Sequence, residues 1–445
     1  MTHLARALML WIGAGLVAIW LLSDTVRRYA PQRRDPLEIR LSYWGSYTDN
    51  RLWQEIISAF ERSCPEIRIR PEWLPLAGYT TKIDQQFMAG DAPDLILFQD
   101  EPFPRYAGEQ FADLSPLLAE DVEMQRRLAD CWPTAIASFK HGEALRGLPI
   151  SGGNVLIYCN LDAFERAAAF RGRRIAPPRA DWTLQEFMAL CQELTIDTDG
   201  DGEPEQFGCF QPHWGYFMPF IWAHGARLLD ESRTRWAFQG SQALDAVSFY
   251  ADLHHRYGVT PSPIQYAGHY SDTAFLSGRV AMYVNGPWFE PFLKQTRLAD
   301  RYRVVDIPTG PGGNATRVTW DGLCLYAKSP PVRRVNAWRF ARFLLSRQAQ
   351  NVFAIHHRAI PARRACAERY VVEGGGPGSG SAAFLRAMDR SRLQPITPNW
   401  QVMYRAVQRH FNSVLLDGPS HKSPAEALEA LAAEPDIVAA FGRSP

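Results

Sequence analysis

Three groups of residues in this chain carry types and spacings that could do chemistry. The first is TIDTDGDGEPEQFG, residues 195–208, where Asp197, Asp199 and Asp201 alternate ahead of Gly202. That pattern fits positions 1, 3, 5 and 6 of a twelve-residue calcium loop. Position 12 should hold a bidentate Glu, and here it is Gly208, so the strongest ligand of a regular calcium hand is missing. Alternating Asp residues can instead bond their own backbone as Asx turns. A surface connection without metal is therefore expected, with a structural calcium at Asp197, Asp199 and Asp201 as the alternative and no other cofactor. The second group is carboxylate. Asp100 and Glu101 are sequence neighbours and rarely span a sugar as a glycosidase pair must, whereas Glu101 with Asp321 could. The third is aromatic: 12% of the chain, with 14 Trp, exceeds what an aliphatic core needs and points to rings lining a binding surface.

Other chemistries are excluded by what the chain lacks. There is no phosphate loop, no H-E-x-x-H and no G-x-S-x-G. The histidine pairs 254–255 and 356–357 argue against joint metal ligation, because neighbours on a helix point in different directions. The cysteines at 64, 131, 159, 191, 209, 324 and 366 have neither C-x-x-C nor zinc spacing, and their odd number leaves at least one unpaired. Basic and acidic residues nearly cancel, 48 against 47, and no basic stripe appears, which speaks against nucleic acid as a partner.

These residues must be held by a fold, and 445 residues suffice for two or three domains. Residues 7–23 are uncharged, roughly 26 Å as a helix and close to a bilayer core. With no small-x-small site and no lipidation cysteine nearby, this reads as an uncleaved membrane anchor rather than a cleaved signal. Arg27, Arg28, Arg33 and Arg34 follow it while only Arg6 precedes it, against the usual charge bias for export. Residues 24–36 form a linker. Beyond it LEIRLSYW (37–44) alternates as a strand, Leu52, Trp53, Ile56, Ile57 and Phe60 recur at helical spacing, 65–70 is a second strand, 79–89 a helix and 93–98 a third strand. That rhythm predicts a parallel sheet covered on both faces, with ligands at the carboxyl ends of its strands, where Trp44 and Asp100 would sit. Further on, a capping box at Thr183–Glu186 opens a helix over 184–194, a helix spans 241–257, strands fall at 155–159, 280–284, 304–308 and 323–327, and a helix spans 336–345.

Several ordered segments resemble the family 1 extracellular solute-binding proteins of ABC importers, the maltose-binding-protein-like family, over about residues 37–440. They are AFLSGRVAMYVNGPW (274–288), Pro149 with Tyr158 and Asn160, Pro93-Asp94, DWTLQEF (181–187), residues 337–345, IPAR (360–363) and PNW (398–400). The resemblance implies an α/β, two-lobed type II periplasmic binding protein fold. One lobe would comprise 37–147 and 308–350, the other 148–304 and 351–445, with hinge crossings near 147–150, 304–308 and 348–362. It implies a monomeric, non-catalytic periplasmic or extracytoplasmic component that binds a sugar-type solute between the lobes and hands it to ABC permease subunits. By motif position Trp44, Phe98, Tyr216 and Trp288 are stacking candidates, and Asp100, Glu101 and Asn154 hydroxyl partners. Trp214, Trp320 and Asp321 join them. Gly152, Gly153 and Asn154 stand where maltose-binding protein places an acidic acceptor, which argues against maltose itself. A carbohydrate-active hydrolase or lyase, or a sensory sugar-binding module, is the rival expectation.

Overall fold

In a computed structural model of the chain, residues 37–210, 214–262, 271–356, 359–376 and 379–442 are described. The expected membrane segment at 7–23 lies outside them. Among the described residues no helix is long and apolar enough to cross a membrane.

The strands are β1 (Glu38–Trp44), β2 (Arg68–Leu74), β3 (Leu95–Gln99), β4 (Lys140–His141), β5 (Ala144–Leu145), β6 (Leu148–Asn154), β7 (Leu156–Asn160), β8 (Phe207–Cys209), β9 (Val280–Asn285), β10 (Tyr302–Val305), β11 (Thr316–Leu325), β12 (Ile360–Pro361) and β13 (Ser391–Leu393). They build a mixed α/β fold on two main sheets. The larger runs β12-β6-β11-β3-β1-β2, with β13 on the first residues of β11; the smaller runs β10-β7-β9-β8, and β4-β5 is a separate hairpin.

The opening follows from local sequence. β1 is buried along nearly its whole length, and helix Tyr47–Ser63 begins with a capping box in which Ser46 accepts from the Asp49 amide while Asp49 accepts from the Ser46 amide. Gly45 makes the turn between them at φ +148°, where a Cβ would collide with the Asp49 side chain. Leu52, Trp53, Ile56, Ile57 and Phe60 form the helix's buried stripe, as their spacing predicts. β1 pairs with β2 and β3 in parallel. The sheet is nevertheless mixed, because β11 returns late in the chain and inserts antiparallel between β3 and β6.

Three residues of the family-like motifs are structural ties. Asp94 is buried and accepts from the Arg40 amide and Ser329 Oγ, with Arg333 Nη1 at 3.3 Å. Asn160 caps helix Leu161–Arg171 through Oδ1 and donates Nδ2 to the Phe275 carbonyl. Tyr158 donates its hydroxyl to the Gly286 carbonyl and so fixes the backbone just ahead of Trp288.

The chain passes between the two sheets at Val155 and over 306–315, the second overlapping the expected 304–308. β6 stays paired with β11 along Leu148–Asn154, so the passage to the smaller sheet falls at Val155 rather than at 147–150. β10 ends at Val305 in the smaller sheet and β11 begins at Thr316 in the larger, so the return spans 306–315. β12 pairs with β6, which keeps residues 360–361 in the larger sheet. The chain then reaches helix Trp400–Ser413, packed against helix Trp214–Ala223 on the smaller-sheet side.

Candidate functional site

The strand ends of the larger sheet and the loops of the smaller one enclose a cleft of about 760 Å³, within the size range of small-molecule sites. Trp44 at the end of β1 and Gln99 and Glu101 at the end of β3 reach it because parallel strands present their carboxyl ends to the same edge. β11 contributes by alternation. Arg317, Thr319 and Asp321 share one face and line the cleft, while Val318 and Trp320 point the other way into the core. From the other side come Trp288 and Phe292, following β9, and Tyr216 and Tyr404 from the helices 214–223 and 400–413.

Trp288 stands on a glycine floor. A Cβ on Gly286 would run into its indole ring, and one on Gly153 would meet Pro287 and lie 3.3 Å from the same ring. Glycine at both positions leaves the ring its room. Gly152 is held to glycine from the opposite face by Trp320.

The polar floor is a linked set. Arg317 Nη1 donates to Glu101 Oε1 at 3.0 Å and to Gln394 Oε1 at 2.7 Å, and its guanidinium lies 4.6 Å from the Tyr216 ring centre. Burial alone would lower the Arg317 pKa; the Glu101 carboxylate, with Tyr216 and Asp100, outweighs it and the net direction is up. The Tyr216 hydroxyl is pushed up by burial, against the pull of Arg317. Beneath them Asp100 accepts from Thr319 Oγ1 at 2.7 Å, and burial, then the like charge of Glu101, pushes its carboxyl up to about 7. The site therefore offers flat aromatic faces together with carboxylate, guanidinium, amide and hydroxyl groups, the set a polyhydroxylated ring needs.

The sequence-expected residues divide accordingly. Trp44, Glu101, Tyr216, Trp288 and Asp321 lie together on the cleft. Phe98 does not: it faces the opposite side of β3 from Gln99 and packs in the core with Tyr79, Tyr106 and Phe111. Trp320 is buried by the alternation of β11 and donates Nε1 to Thr134 Oγ1. Asn154, also buried, donates Nδ2 to the Phe384 carbonyl and Ser391 Oγ, away from the cleft. Asp100 sits behind the lining rather than on it. Trp214 opens its helix, and its side chain lies outside the described residues. Arg317, Thr319, Gln99, Phe292 and Tyr404 were not singled out from the sequence. For the β11 pair, an i, i+2 alternation running back from Asp321 was the available signal.

The acidic loop is a hydrogen-bonded turn. Asp197 accepts from the Gly200 and Gly202 amides, Asp199 from Asp201, and Asp201 from Glu203. Glu205 accepts from the Thr198 amide and hydroxyl. Carboxylates of Asp197, Asp199, Asp201 and Glu205 lie within 4.8 Å of one another, and none of the four lines the cleft.

A profile of bacterial extracellular solute-binding proteins matches residues 55–373. A protein of Brucella abortus (strain 2308), named as a binding protein, is 23% identical over 389 residues, 87% of this chain and 89% of its own length. Among solved structures, the ABC substrate-binding protein Lmo0181 from Listeria monocytogenes, in complex with cycloalternan, is similar with a TM-score of 0.80 and 22% identity, over 92% of this chain and 99% of that one. Maltose-bound MalE3 of T. maritima has a TM-score of 0.73 and 19% identity, over 89% and 98%.

Proposed function

This chain belongs to the family of bacterial extracellular solute-binding proteins, and from that premise we propose that its cleft binds a sugar or sugar-like solute for an ABC importer. The observation that carries the reading is the pairing of Trp44 from one side with Trp288 from the other, across a floor of Glu101, Arg317, Thr319 and Asp321. Indole faces suit the apolar C–H faces of a pyranose, and the floor suits its hydroxyl belt. Sugars bound in the neighbours named above support the same ligand class.

On this reading each main sheet with its helices is one lobe, and the connections at 155 and 306–315 are the hinge segments. A solute touching Trp44 and Trp288 together favours the closed arrangement by its differential affinity, and the closed form is what permease subunits engage. The protein acts outside the cytoplasm as a monomer without catalysis, held at the membrane by residues 7–23. Glu101 is committed to Arg317, an arrangement that serves binding better than glycoside hydrolysis.

The test is a thermal-shift screen of the full chain against sugars, polyols and glycerophosphodiesters, with product analysis on every hit. The reading expects a saturable upward shift with at least one sugar and no product. Shifts confined to non-sugar solutes, or turnover of a hit, would overturn it.

A further inference from the structure

The helix Gly240–His255 ends on two histidines, and the segment after helix Trp400–Ser413 lays Asp417 and His421 beside them. One ligand atom each from His254, His255 and Asp417 lies within 4.8 Å of the others. The rings of His254 and His255 are 4.7 Å apart, and that of His421 is 5.0 Å from that of His255. Along a continuing helix neighbours diverge. Here the pair closes the last turn, and the two rings meet.

The hydrogen bonds say how the rings are used. His254 Nδ1 faces the Thr260 carbonyl at 3.3 Å, His255 Nε2 the Val414 carbonyl at 2.8 Å, and His421 Nδ1 the Leu416 carbonyl at 3.0 Å. A carbonyl oxygen only accepts, so each of these nitrogens carries the proton, and in the neutral ring the other nitrogen keeps a lone pair. His255 Nδ1, one of those lone pairs, lies 3.8 Å from Asp417 Oδ1. A ring that donates one N–H to a backbone carbonyl and offers its second nitrogen is how metal-bound histidines are oriented. All three rings set one nitrogen on a backbone carbonyl.

We propose that His254, His255 and Asp417, with His421 beside them, bind a divalent transition cation of the zinc class. Imidazole with carboxylate suits zinc, copper and nickel rather than calcium or magnesium. Tetrahedral zinc ligands lie about 3.3 Å apart, so a spacing of 4.8 Å closes by about 1.5 Å, shared between rotation of the exposed Asp417 side chain and small shifts of the two rings. The cation would staple the end of one helix to the segment leaving another. None of these residues lines the solute cleft.

The test is calorimetric titration of zinc chloride, and in parallel calcium chloride, into the untagged full chain after chelator treatment, in a non-coordinating buffer at pH 7.5. Wild type should bind one equivalent of zinc in a saturable phase and show a zinc-dependent rise in unfolding temperature. His255→Gln and Asp417→Asn, made separately and checked for unchanged metal-free unfolding, should each weaken that phase by roughly tenfold or more. His421→Gln stands in if either fails to fold. No saturable zinc phase, undiminished affinity in the variants, or calcium binding equal to zinc would overturn the proposal.

Discussion

Replacing Trp288 by Ala should cost solute affinity far more than it costs the fold. The indole lies on Gly286 and Gly153 with one face turned to the cleft. A sugar stacked on that face would cover about 80 Å², taking somewhat under half of the area a buried Trp presents. At about 25 cal/mol per Å² that is roughly 2 kcal/mol, or about a thirtyfold loss in affinity. The assay is calorimetric titration of the best sugar from the screen into wild type and Trp288→Ala at two temperatures. The variant should also show a less negative heat-capacity change, since less apolar surface is covered. Gly153→Ala is the companion: its new methyl meets Pro287 and presses on the indole, so it should weaken binding about tenfold without removing the ring. Affinity within threefold of wild type in both variants would refute the stacking role and the glycine-floor argument.

Arg317→Ala should abolish measurable solute binding and destabilise the protein by about 3 kcal/mol in denaturant melts, because Glu101 and Gln394 lose a buried partner; a loss below about 0.5 kcal/mol would show the pair to be ornamental. Asp100 makes a pH prediction: burial pushes its carboxyl up to about 7 from the ordinary 3.8, so the folded chain holds the extra proton between those values. Its stabilising contribution is therefore full at acid pH and is lost as pH rises through 7. Asp100→Asn should gain about 2 kcal/mol relative to wild type between pH 5 and pH 8, and parallel stability profiles would contradict this. Trp320→Ala, in the core, should cost about 3–5 kcal/mol in chemical unfolding; an unchanged midpoint would place it elsewhere. Finally, the acidic loop already spends its Asp oxygens on backbone amides, so calcium or chelator should leave the melting temperature unmoved, and a calcium-dependent rise would restore the ion.

Much of the frame was legible. Apolar alternation in β1 and the helical stripe from Leu52 to Phe60 have periods that single elements impose, and the capping boxes at Ser46 and Thr183 mark where helices begin. The site was legible at strand ends, as for Trp44, and where a motif fixes the backbone, as Tyr158 and Gly286 do for Trp288. The misplacements share one cause. Aromatic type alone does not say which face a strand residue meets; the alternation does, with Arg317, Thr319 and Asp321 toward the cleft and Val318 and Trp320 toward the core. Phe98 and Trp320 are each one residue from a lining position, Gln99 and Thr319 or Asp321, and a one-residue step reverses the face. Arg317 was hidden because its partners, Glu101, Gln394 and Tyr216, come from three distant parts of the chain. The pairing of β6 with β11, which carries the first passage on to Val155, is equally non-local.

Hydrogen exchange with and without a saturating sugar tests the central claim most directly. Binding between the two sheets predicts slowed exchange in 44–52, 99–101, 286–295 and 316–321 together, with the acidic loop at 197–205 unchanged. Protection on one sheet alone, or outside these segments, would contradict a solute held between them.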